Sequence, residues 1–138
     1  GIPEGGIQRS SRHPNCSFFT HWKSKEDRMS WDIEVARSGE YEAEIYYTCR
    51  ARDVGSTVEL SFRASRVRAR INEAHDPPLV GAEADRVPRQ ESCVKDFRPL
   101  RLGTIVLEKG RGKLTLWAPE VAGEQVADIR YVALTLRQ

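Results

Sequence analysis

Apolar and polar residues alternate with a period of two through most of this 138-residue chain. That rhythm commits it to strands that bury one face and wet the other. In "MSWDIEV", Met29, Trp31, Ile33 and Val35 share one side, with Ser30, Asp32 and Glu34 on the other. After the turn signal "RSG", "EYEAEIYYTC" sends Tyr41, Ala43, Ile45, Tyr47 and Cys49 inward, against Glu40, Glu42, Glu44, Tyr46 and Thr48. Two such runs meeting at a short glycine-containing loop predict a hairpin. "STVELSFRA", "RVRARI", "LRLGTIVL" and "KLTLWA" continue the pattern, with "EKGRG" as a further turn. "VADIRYVALTL" is apolar on both sides from Ile129 onward, which predicts a strand covered on both faces. No segment carries a helical stripe of useful length. About seven or eight short strands separated by turns predict an all-β chain folded as an antiparallel β-sandwich.

Hydrophobic residues make up 39% of the chain and charged residues 30%, enough for a core that needs neither disulfides nor metals. The net charge of +2 is small, and Lys and Arg are interspersed with Glu and Asp, which argues against nucleic acid as a partner. No run approaches the length of a membrane span, and the first residues have no signal-peptide core. "GIPEGGIQRSS" reads as a cut linker, so residues 1–8 are expected to be a linker remnant and residues 9–138 a single domain from a longer protein. Cys16, Cys49 and Cys93 form no C-x-x-C pair, which argues against a zinc ribbon or a redox motif. One disulfide with a spare thiol and three buried thiols both fit this count.

The catalytic motifs are missing. There is no H-E-x-x-H, no G-x-S-x-G, no phosphate loop and no dinucleotide-binding glycine pattern. A sulfatase nucleophile needs Cys or Ser followed by x-P-x-R, and no cysteine here has that context. The adjacent His75 and Asp76 precede Pro77 and Pro78, which favour extended backbone and point neighbouring side chains apart. Asp76 is therefore read more readily as a turn cap than as half of an acid–base pair. Glu40, Glu42 and Glu44 share a strand face, but a solvated face explains them better than glycoside cleavage does. An independent enzyme is not expected.

Two segments, "WDIEVARSGEYEAEIYYTC" and "VADIRYVALTL", resemble the paired early strands and the closing strand of galactose-binding-like carbohydrate-binding modules. "PNCSFFTHW", "YYTCRARDVGSTVELSF", "HDPPLVGAEADRVPR" and "VKDFRPLRLG" resemble the C-terminal accessory domain of bacterial sulfatases of the arylsulfatase and N-acetylgalactosamine-6-sulfatase type. The resemblance covers nearly the whole chain after residue 9. It implies a jelly-roll sandwich, an exported parent enzyme in an extracellular or periplasmic setting, and sulfated or acidic polysaccharide nearby. The related modules often hold a structural calcium through a Glu near the first strand and an Asp near the last. Asp128 matches the second position, while the first is unmatched unless Glu4 replaces it. Calcium needs six to eight oxygens, so Asp128 alone is a thin basis for a metal site.

A sugar offers apolar C–H faces edged with hydroxyls, so its site needs an exposed ring and planar hydrogen-bonding groups. Sulfate would add a demand for Arg. Trp117 and Tyr46 are aromatic residues at positions expected to be polar, and they would form one stacking platform if their faces belong to the same sheet. The irregular stretch "NEAHDPPLVGAEADRVPRQES" supplies Asp76, Asp85, Arg86 and Arg89, with Glu83 beside them. Arg50, Arg52 and Asp53 lie in another loop at one end of the sandwich, where such loops converge. The carbohydrate-binding set is thus Trp117, Tyr46, Asp76, Asp85, Arg86 and Arg89. The competing expectation is a structural domain packed on a sulfatase catalytic domain, with "DPPLVG" as its apolar contact.

Overall fold

The computed structural model describes residues 2–9, 18–76 and 97–137. These form two five-stranded antiparallel sheets, the sandwich that the alternation predicts. The first sheet runs in the order β1 (Ile2–Glu4), β4 (Arg28–Val35), β9 (Gly110–Glu120), β6 (Thr57–Phe62) and β7 (Ser65–Arg70). The second runs β2 (Gln8–Arg9), β3 (Phe19–Thr20), β10 (Asp128–Leu136), β5 (Gly39–Thr48) and β8 (Arg98–Leu107).

The core lies between the sheets and is built from the residues that alternation turns inward. Met29 and Leu116 face Ile45 and Ile105 across it, with Val58, Leu60 and Phe62 beside them, all nearly inaccessible. Facing layers of this kind lie about 10 Å apart, so every outward side chain of one sheet points away from those of the other.

Three local expectations change. The runs around "RSG" do not form a hairpin: β4 pairs with β1 and β9, and β5 pairs with β10 and β8. The loop between them is an arch that carries the chain from one sheet to the other. The "EKGRG" turn does the same between β8 and β9, whereas β6 and β7 are a true hairpin. Residues 2–4 and Gln8, within the stretch expected as linker, add strands to the two sheets, the second together with Arg9. Their entry is fixed by Asp27, whose carboxylate accepts the Gly6, Lys23 and Ser24 N–H groups at 2.8, 3.3 and 3.1 Å. Finally, β10 is not covered on both sides, because Tyr131 keeps 45% of its surface exposed.

Candidate functional site

On the outer face of the first sheet, strand register sets Arg28, Trp117, Glu59 and Arg68 side by side across β4, β9, β6 and β7. Leu116 and Ala118 flank Trp117 in sequence and are buried inward, so the indole faces outward and is half-buried. Its Nε1–H donates to Glu59 Oε2 over 2.8 Å. Arg68 Nε donates to Glu59 Oε1 over 2.6 Å. Glu59 is only 4% exposed although it lies on the outer face. Burial pushes its carboxyl up, but the hydrogen bonds from Arg68 and Trp117, with the charges of Arg68 and Arg66, outweigh this and leave it below the usual value. The carboxylate stays charged, and the ring is held with Arg28 on one side and Glu59, backed by Arg68, on the other.

A second feature occupies the loop end of the sandwich. A pocket of about 160 Å³ is lined by Thr20, Thr48, Arg50, Asp53, Asp76 and Asp128, among others. The backbone places Asp76 there, because His75 exchanges both main-chain hydrogen bonds with Cys49. Asp53 is 2% exposed, and its Oδ1 accepts the Glu124 and Gln125 N–H groups at 3.0 and 3.4 Å. Its Oδ2 meets Arg50 Nε and Nη2, both at 2.8 Å, although the Nη2 contact lacks hydrogen-bond geometry. Asp53 is therefore committed to shaping the wall. Cys49 is a buried free thiol, pushed up to about 11 mainly by burial and then by Asp53, with Asp128 and Asp76 adding to the shift against Arg50. It is a protonated wall residue and a poor nucleophile.

The calcium expectation can be set against this pocket. Asp128 and Asp76 share it with two threonines. Among the described residues, no group of three or more His, Cys, Asp or Glu side chains could hold a metal ion. Glu4 sits opposite Arg28 in the first sheet and does not line the pocket.

The remaining sequence-derived residues divide three ways. Tyr46 lies on β5 in the second sheet, so Tyr46 and Trp117 do not form one platform; their faces belong to different sheets. Tyr46 instead pairs with Tyr131, with ring centroids 4.5 Å apart and a 38° tilt. Asp85, Arg86 and Arg89 lie outside the described residues, as do Cys16 and Cys93. Sequence reasoning missed Glu59, Arg68, Arg28 and Tyr131. Glu59 occupies an ordinary polar position of an alternating strand, and only the β6–β9 register reveals the indole beside it.

No family model and no curated protein matches this chain. Solved structures do. A carbohydrate-binding module from a lichenase of Cellvibrio mixtus, solved in complex with cellotriose, superposes with a TM-score of 0.62 at 12% identity, covering 96% of this chain and 88% of that one. The likeness is one of fold, an antiparallel β-sandwich. The chain also matches a Podospora anserina mannanase that carries such a module, with a TM-score of 0.60, 13% identity and 99% of this chain covered. A ruminal endo-β-1,4-mannanase gives 0.57 at 12% identity over 95% of this chain. This chain spans 28% and 21% of those two enzymes. The sulfatase resemblance finds no support in these comparisons. Among the described residues, no helix is long and apolar enough to cross a membrane.

Proposed function

We propose that this domain is a non-catalytic carbohydrate-binding module that tethers a larger exported enzyme to polysaccharide. The observation that carries the reading is the fixed indole of Trp117, held by a buried carboxylate on the open face of a sheet. A ring with one orientation loses little entropy when a sugar stacks on it. Arg28 beside it, and Arg68 one strand beyond Glu59, supply donors for ring hydroxyls or for sulfate. The pocket carboxylates Asp76 and Asp128 add hydroxyl acceptors at the loop end. Tethering of this kind raises the local substrate concentration seen by an attached enzyme.

The sulfatase parent and sulfated polysaccharide implied by the sequence motifs are the finer form of this proposal, and Arg28 and Arg68 on the Trp117 face are what supports it. The alternative, a purely structural domain docking through "DPPLVG", rests on a stretch that from Pro77 onward lies outside the described residues.

Native-gel affinity electrophoresis tests the proposal with soluble β-1,4-mannan, hydroxyethylcellulose and dextran sulfate, each with and without calcium. Retardation by at least one polymer, weakened about tenfold by Trp117→Phe or Trp117→Ala, is expected. Unchanged mobility of the wild type on all three gels defeats the reading. Calcium-dependent retardation that Asp128→Asn abolishes would assign the cation to that carboxylate.

A further inference from the structure

The rings of Trp117 and Tyr46 stand on the outward faces of different sheets, and the buried neighbours of each, Leu116 and Ile45, point toward one another across the core. The two surfaces therefore face opposite directions. Tyr46 and Tyr131 lie in contact on β5 and β10, and the register sets Pro99 of β8 on the far side of Tyr46. An apolar row thus crosses three strands, with Tyr131 45% exposed.

The next row outward along the same face holds Glu44 opposite Arg101, and Arg101 Nε donates to Glu42 over 2.6 Å. A protein partner centred here would have to bury that charged ladder, and charged residues are depleted from interface cores. A sugar has the complementary make-up. Its C–H face covers the tyrosine rings, while its hydroxyls reach the phenols, Glu44 and Arg101.

We propose that the Tyr46–Tyr131 surface is a second glycan-binding site and that the domain, gripping sugar on opposite faces, bridges separate polysaccharide chains. This rests on the reading of the domain as a carbohydrate binder. One extended glycan cannot lie on both surfaces, because two strand layers and the core stand between them.

Light scattering from mixtures of the domain with each of the three polysaccharides reads the bridging directly. For any polymer that retards the wild type, scattering is expected to rise with added protein and to fall again at large excess, when each chain is separately saturated. Tyr131→Ala changes an exposed side chain, and is expected to cut the rise by about tenfold or more while gel retardation persists through Trp117. Tyr131→Phe keeps the ring and is expected to scatter like the wild type. Wild-type retardation without scattering overturns the bridging and leaves the carbohydrate reading intact. Equal scattering by Tyr131→Ala and wild type, as single-site dimers would give, overturns the second site. Absence of retardation on all three gels removes both.

Discussion

Trp117 Nε1 and Glu59 Oε2 are 2.8 Å apart, and that one hydrogen bond joins an outward-facing ring to a carboxylate that is almost fully buried. The other oxygen of the carboxylate accepts from Arg68 Nε, so both carboxylate oxygens are engaged.

Replacing Glu59 by Ala leaves the indole N–H and the guanidinium of Arg68 without their shared acceptor. A loss of about 2 kcal/mol in stability is expected, from removal of a charge-assisted hydrogen-bonded group. Urea denaturation checks the figure, and the same variant should bind polysaccharide more weakly because the ring is no longer held. A midpoint indistinguishable from wild type would show that the trio contributes nothing net.

Acid should act on the same group. The folded carboxyl of Glu59 lies below its unfolded value. Its contribution is therefore fully present above the unfolded value of about 4.3 and is lost as pH falls through the folded value. Between pH 7 and pH 3, wild type should lose more stability than Glu59→Gln, which cannot titrate. Parallel decline of the two proteins would contradict the assignment.

Asp53 holds the β9–β10 connection by accepting the Glu124 and Gln125 N–H groups and pairing with Arg50. Asp53→Ala leaves those part-buried donors without their acceptor, and a cost of about 2 kcal/mol is expected. Hydrogen exchange should then quicken at residues 124 and 125 before it does so in the sheets. Uniform exchange across the domain would point instead to a general loss of packing.

Cys49 should resist alkylation. With its thiol pushed up to about 11, the thiolate fraction at neutral pH is roughly a hundredfold or more below that of an ordinary cysteine. Peptide mass spectrometry after iodoacetamide treatment, folded against urea-unfolded, resolves this residue from the others. Equal labelling in both states would rule out the buried environment.

Period-two burial made the inward set legible: Ile45, Val58, Leu60 and Leu116 were all placed on the core side by alternation alone. Strand partners were not legible, because alternation says which way a side chain points and is silent on which strand lies beside it. A short turn between two alternating runs suits an arch as well as a hairpin, and the β4–β5 and β8–β9 connections are arches. The same ambiguity decided the fate of the aromatic platform. Trp117 and Tyr46 were recognisable as rings at polar positions, but their assignment to separate sheets depended on those arches. Glu59 carried no signal of its own, since its significance lies in register with β9.

The arches also govern how this molecule comes together. Because β4 pairs with β9 and β5 with β8, each sheet is assembled from segments distant along the chain, and among the described residues only β6–β7 is sealed by a local turn. Little ordered structure can be gained before the ends of the polypeptide meet, so folding should be slow and cooperative, with few stable halves along the way.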